Sequence, residues 1–403
     1  MLLQFMVSNY KCFRSETLLN MLPAKSRKHK DHPIEVDLEK GKKSVLPLAL
    51  IYGANGSGKS SLIRAMAAAR NLITKGTTSS AAIDTTPHLL DEGTRSAPTV
   101  FEFVFHEAGR VYTYGFTATR ETIVEEWLFA LSKQRQAKWF VRATKNGKTE
   151  IEFGASLAET RSERQRLRFV AEGTRTNQLF LTEAIERNVE RLNPVANWFN
   201  KRLTFIWPDA LYHGLSIRLQ SDKRFLEFVS TFLRSADTGV ESVNSTREPL
   251  DLERHLLDIP PPLRNDLLKQ NSKSGDHDVL MTDGRSFYNI AYPRSGPPEL
   301  VTLKTAHLDR SGKQVQFETR DESDGTLRLM HLAPILCDMQ ESGRVYVVDE
   351  LDRSMHPLLS RLYVEQFLKA VRQRRAKAQL IVTTHEPGLL DLERIRRDEI
   401  WFV

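Results

Sequence analysis

The spacing of apolar residues changes period several times along the chain. LLQFMVS, Leu2 to Ser8, alternates and predicts a short strand, with a turn at NYKCFRSE and a second strand around Thr17 to Met21. Residues 23–44 are rich in Lys, His and Pro and read as an exposed loop. VLPLALIYGANGSGKSSLIRAMAAARNLI then reads as an apolar strand, a glycine-rich turn, and a helix with Leu62, Ile63, Met66 and Ala67 on one side. Over roughly 98–153 the period falls to two in TVFEFVFH, RVYTYGFTAT, TIVEEWLFAL and KWFVRATKNGKTEIEF. Breaks at HEAGR and KNGK predict an antiparallel meander there.

From about 155 to 235 the pattern is mostly helical, clearest in LFLTEAIERNVERL and KRFLEFVSTFLRS, and shows no long heptad array. Residues 237–300 carry many Pro, Asp, Asn and Ser residues and read as loops with short elements. A hairpin is predicted at LVTLKTAHLD and QVQFET, leading into DESDGTLRLM, where Ser323 or Asp324 caps a helix beginning near Gly325. Two buried parallel-type strands follow, RVYVV before Asp349 and QLIV before Thr383. No repeat of 20–50 residues is visible.

Candidate chemistry sits where these elements end. Gly53, Ala54, Asn55, Gly56, Ser57, Gly58, Lys59 and Ser60 match G-x-x-x-x-G-K-[ST] in a strand–turn–helix context. The glycines let backbone N–H groups turn inward around nucleotide phosphates, Lys59 places a charge between the β- and γ-phosphates, and Ser60 offers a hydroxyl to Mg²⁺. ATP or GTP binding follows. Asp349 and Glu350 form a carboxylate pair at the carboxyl end of a buried strand, the edge at which doubly wound folds bind nucleotides. Asp349 suits Mg²⁺, and Glu350 suits polarising the water that attacks the γ-phosphate. His385, after Thr383 and Thr384, can hydrogen-bond that phosphate or water. The Ser323–Gly325 turn also suits a phosphate, because unpaired N–H groups and the helix dipole converge at a helix start.

Bulk properties narrow the setting. With 403 residues, 40% hydrophobic and 27% charged, the chain is a globular protein of two or three lobes. Cys12 and Cys337 stand far apart with no CxxC partner, which fits a reducing compartment and gives no zinc signature. The N-terminus lacks the features of a signal peptide and no run of eighteen apolar residues occurs, so a cytoplasmic protein without membrane contact is expected. The net charge of +7 and the basic clusters at 25–30, 161–168 and 372–377 admit a polyanion partner but equally describe solvated faces. Asp276-His277-Asp278 reads as an exposed polar loop rather than a metal site.

The order of P-loop, meander, helical lobe, S-D-G-T turn, VVDELDRSMHP and TTH resembles the ABC-type ATPase domain of the RecF/SMC/OLD group over nearly the whole chain. F-M-V-S-N-Y-K-C-F fits that group's first strand and turn. Most of all it is similar to stand-alone AAA-type ATPases of bacterial anti-phage systems, such as AriA of PARIS and PtuA of Septu. The resemblance implies an α/β fold: an ABC-type P-loop ATPase head with a mixed central sheet, an antiparallel β subdomain and an inserted helical lobe. It divides the chain into 1–153, the N-terminal part of the ATPase lobe, 154–300, the helical or insert lobe, and 301–403, the C-terminal part of the ATPase lobe. It gives Ser323, Asp324 and Gly325 the place of the signature motif, which contacts the γ-phosphate on a second subunit's P-loop. Asp352 takes the place of the loop that communicates across the dimer, His385 the switch histidine, and Gln178 that of a glutamine completing Mg²⁺ coordination.

The implied function is an ATPase, with ATP and Mg²⁺ as cofactors, acting as sensor or scaffold of an anti-phage system. It would pair through ATP into homodimers and higher homo-oligomers, contact DNA or a phage protein, and hold a separate nuclease-like effector. No intrinsic nuclease is expected, because only about 18 residues follow His385. A RecF-like DNA-binding repair clamp is the alternative.

Overall fold

The computed structural model describes residues 1–132, 135–145, 147–212, 214–255, 277–282, 287–293, 296–339, 343–373 and 376–403. Asn146 of the KNGK turn, Asp276 of the acidic triplet, and Arg374 and Arg375 of the last basic cluster lie outside them. The chain forms two compact units. One comprises Met1–Pro208, Met339–Asp352 and Tyr363–Val403; the other comprises Asp209–Asp338 and Arg353–Leu362. The division thus falls at Pro208 rather than at 153 and 300: residues 154–208 pack with the P-loop unit, and residues 301–338 with the inserted unit.

The first unit contains a parallel and an antiparallel sheet. The parallel sheet has the order β11 (Leu203–Ile206), β17 (Val345–Val348), β18 (Gln379–Thr383), β5 (Leu48–Tyr52) and β19 (Ile400–Phe402), and every pairing in it is parallel. β5, β17 and β18 are buried along their whole length, as expected of strands covered on both faces. All five carboxyl ends therefore reach one edge. The antiparallel sheet has the order β10 (Lys148–Phe153), β9 (Arg135–Lys145), β8 (Ile123–Ser132), β7 (Arg110–Ala118), β6 (Thr99–Glu107), β1 (Leu2–Ser8) and β2 (Thr17–Asn20). This is the predicted meander with the two N-terminal strands added to it. Its buried face, including Phe5, Phe103 and Phe105, packs against the P-loop helix and against Trp198 and Phe199, with Phe105 stacked on Trp198 at 4.2 Å.

A buried polar network joins this sheet to the segment 175–181. The Glu126 carboxylate accepts the N–H groups of Phe180 (2.7 Å) and Leu181 (2.9 Å) and the Tyr114 hydroxyl (2.9 Å). The Arg142 guanidinium, 3.6 Å from Glu126, donates to the carbonyls of Gln178 (2.5 Å) and Arg175 (3.1 Å). Burial pushes the Glu126 carboxyl up, and Arg142 with the two N–H groups opposes the shift. Both side chains are fully buried, so neither charge has water to fall back on. Arg142→Met is expected to destabilise the protein by about 3–5 kcal/mol, because Glu126 would be left buried without its cation. Urea unfolding measures this, and a loss below about 1 kcal/mol would show that the pair is structurally idle.

One stretch of this unit differs from its sequence reading. Residues 23–44, expected as exposed loop, contain the hairpin β3 (Ile34–Asp37) and β4 (Lys42–Val45), and the basic stretch before it is fastened to residues 391–399. Lys28 pairs with Glu393 at 2.5 Å, and the Arg396 guanidinium donates to the carbonyls of Ala24 (2.9 Å) and His29 (3.1 Å). Buried His32 meets buried Glu399 at 3.1 Å. Partners from a distant segment explain why composition misled here. By contrast, the cluster at 161–168 is a helix, Arg161–Gly173, opened by a Thr160–Glu163 capping box. Leu167 and Val170 face inward and most arginines face outward.

The second unit carries helices as expected, and also a sheet where loops were read. β12 (Ser242–Pro249), β15 (Glu299–Leu308), β14 (Phe287–Tyr292) and β13 (His277–Thr282) form an antiparallel sheet, and β16 (Gln314–Glu318) completes the predicted hairpin with β15. Polar strands such as SVNSTREP hide their period. Arg218 ties this unit's helices together, donating to Asp338 (2.7 Å) and lying 4.1 Å above the Phe225 ring.

Candidate nucleotide-binding and hydrolysis site

β5 leads into the P-loop, and the helix Lys59–Lys75 begins immediately after it. Two glycines are required by geometry. A Cβ on Gly53 would lie 2.5 Å from the Val403 carbonyl oxygen, and Gly58, at φ +123°, would place one 2.7 Å from Cys12 Sγ. Ala54, Asn55 and Gly56 are exposed at the tip. No side chain among the described residues caps the helix start and no acidic residue stands in its first turn, so its N–H groups are open to an anion. The buried Ser57 Oγ has no partner among the described residues. Lys59 is buried and curls over the loop, its Nζ donating to the carbonyls of Gly53 (2.6 Å) and Ala54 (3.1 Å). Burial lowers the Lys59 pKa, opposed by the fields of Asp352, Asp349 and Glu350. Among the described residues, an uncapped helix start, an unpaired hydroxyl and a cation bonded only to loop carbonyls together fit a polyphosphate.

β18 lies between β5 and β17, yet the P-loop helix still reaches the carboxylate pair. The Ser60 hydroxyl donates to Asp349 Oδ1 at 3.0 Å. A hydroxyl and a buried carboxylate side by side are a hard oxygen donor set, which fits Mg²⁺ completed by water and phosphate oxygens. Glu350 stands next to them in the left-handed region, at φ +50°. A non-glycine residue there is uncommon and costs free energy. His385, two residues past β18, is exposed, and its backbone N–H is held by the Asp352 carboxylate at 3.2 and 3.3 Å. Ser60, Asp349, Glu350, Asp352 and His385 therefore gather at one sheet edge with the P-loop.

Gln178 does not join them. It sits by the opposite end of the P-loop helix, where its Oε1 accepts from Thr77 N–H (2.9 Å) and Thr77 Oγ1 (3.1 Å). The 17-residue helix is about 25 Å long, so the Mg²⁺ role expected of Gln178 is corrected: the residue closes the loop after that helix. Sequence reading placed a turn at Cys12 and Phe13 but not its packing against Gly58. The Tyr10–Phe13 bridge and the left-handed Lys11 make that turn, but nothing in the local pattern says what it touches.

In the second unit, Ser323 is the cap of the helix Asp324–Asp338. Its hydroxyl accepts from Thr326 N–H at 3.1 Å. Glu322 is turned away and hydrogen-bonded by Thr305 and His307. Ser323 and Asp324 are exposed, whereas Gly325 is buried, and a Cβ on it would lie 2.8 Å from the Ser354 carbonyl oxygen. The absent side chain at 325 is thus accounted for by packing within the chain.

Residues 48–391 match the family model described as AAA domain, putative AbiEii toxin, Type IV TA system. The chain belongs to this AAA family. The AAA protein is accordingly a P-loop ATPase, and the expected α/β class holds for it. Among solved structures, the SMC head domain from Thermotoga maritima is similar at 14% identity, with 96% of this chain and 90% of that chain covered and a TM-score of 0.36. RecF bound to ATP, a recombination mediator of the RecFOR pathway, is similar at 13% identity, covering 96% and 94%, with a TM-score of 0.33. No curated protein matches the AAA protein. Among its described residues, no helix is long and apolar enough to cross a membrane.

Proposed function

We propose that this AAA protein binds and hydrolyses ATP as the sensor or scaffold of a bacterial anti-phage system. It pairs through ATP and holds a separate, nuclease-like effector until triggered. The observation that carries the enzymatic part is the meeting of Ser60 with Asp349 beside the left-handed Glu350. The defence part rests on the family description, which names a toxin of a type IV toxin–antitoxin system, and on the anti-phage resemblance of the sequence.

In this reading the P-loop N–H groups and Lys59 hold the phosphates. Ser60 and Asp349 hold Mg²⁺, which when bound screens phosphate charge and orients the γ-phosphate. Glu350 takes the proton of the attacking water, and His385 steadies the phosphate it attacks. The exposed Ser323 and Asp324 at their helix start are offered to the ATP of a second copy. Gly325 serves by letting Ser354 close against that turn.

Ser323→Arg is expected to leave ATP binding by the monomer within about threefold and to abolish ATP-dependent pairing, since a long cation replaces the small cap. Light scattering with and without ATP reads this, and pairing at wild-type strength would remove the role in trans. The defence role is tested by deleting the gene and its neighbours and by isolating the tagged protein. Unchanged phage sensitivity together with no co-isolated neighbouring product would overturn it.

A further inference from the structure

β18 supplies the site with more than His385. Thr383 is fully buried, and its hydroxyl donates to Asp349 Oδ1 at 2.6 Å while accepting Glu350 N–H at 2.7 Å. Its carbonyl accepts Leu351 N–H at 3.0 Å. One residue thus makes three bonds to three successive positions, 349 to 351. The same Asp349 Oδ1 receives the Ser60 hydroxyl, so that oxygen is held from two sides and its carboxyl group is fixed in rotation. The left-handed backbone of Glu350 persists only where its surroundings over-determine it, and the bond from its N–H to Thr383 is one such constraint. A β-branched side chain is stiff at χ1, so the Thr383 hydroxyl has few other places to be.

We propose that Thr383 is a positioning residue for ATP hydrolysis, setting the rotation of Asp349 and the backbone conformation that aims Glu350. It acts on hydrolysis through the two carboxylates. The inference rests on the assignment of Asp349 and Glu350 as the hydrolytic carboxylates.

Thr383→Val keeps the shape and removes the hydroxyl. Its kcat is expected to fall about 10- to 100-fold, the usual worth of a hydrogen bond to a charged group expressed as a rate. The dissociation constant for ATP should stay within about threefold, because the P-loop and Lys59 are intact. Thr383→Ser, which restores the hydroxyl, should recover kcat to within about threefold of wild type. Thr383→Ala, which removes the hydroxyl without adding an atom, serves as a second variant should valine not fold, and thermal melting checks each protein. A folded Val or Ala variant with wild-type kcat would overturn the inference, as would a Ser variant that falls as far as they do. If wild-type protein shows no ATPase activity sensitive to Glu350→Gln, the assignment of the carboxylates fails. If that sensitivity is present and Thr383→Val is unaffected, only the role of Thr383 falls.

Discussion

Lys59→Ala is expected to leave the protein folded and to weaken ATP binding by about 30- to 4,000-fold. The Lys59 ammonium is the cation in the glycine loop, buried and bonded, among the described residues, only to the carbonyls of Gly53 and Ala54. Those two bonds are what a phosphate oxygen would replace at little cost, since the side chain is already curled over the place the phosphates take. Losing a desolvated charge opposite a bound anion costs about 2–5 kcal/mol, and each 1.4 kcal/mol is tenfold in affinity. Titration calorimetry with ATP measures the loss. Binding within threefold of wild type would show that this loop is not the phosphate cradle.

The second large effect concerns turnover rather than binding. Glu350→Gln should lower the rate of ATP hydrolysis by about 100- to 10,000-fold, the range associated with loss of a general base. It should leave ATP affinity nearly unchanged, because Asp349 and Ser60 remain in contact and the P-loop is untouched. The amide is close in shape to the carboxylate, so the left-handed backbone at 350 and its bond to Thr383 survive the change. Phosphate release under single-turnover conditions separates the chemical step from binding, and the ATP-loaded, paired state should accumulate. Hydrolysis at the wild-type rate would remove Glu350 from the base role.

The parts of the fold that were legible in the sequence are those whose local pattern equals their environment. β5, β17 and β18 are mostly apolar because they are covered on both faces, and β6 alternates because one of its faces is only half-buried. The P-loop was legible because steric demands at Gly53 and Gly58 leave few residue choices. Gln178 misled because glutamine carries no positional signal, and only the Thr77 contacts show where its side chain is spent. The sheet of the second unit was illegible for a related reason: a strand such as Ser242–Pro249, largely polar and partly exposed on both faces, has no hydrophobic period to read. Thr383 was visible as a letter between an apolar strand and a histidine, but its importance lies in bonds to residues more than thirty positions away.

The backbone of Glu350 sets stability and chemistry against each other at one position. Glycine there would adopt φ +50° freely and relieve a cost of about 1 kcal/mol or more, so selection for a sturdier protein alone would favour losing the carboxylate. A screen of random variants for thermal resistance would then enrich changes that silence the enzyme at this position, while one for turnover would retain a less stable residue.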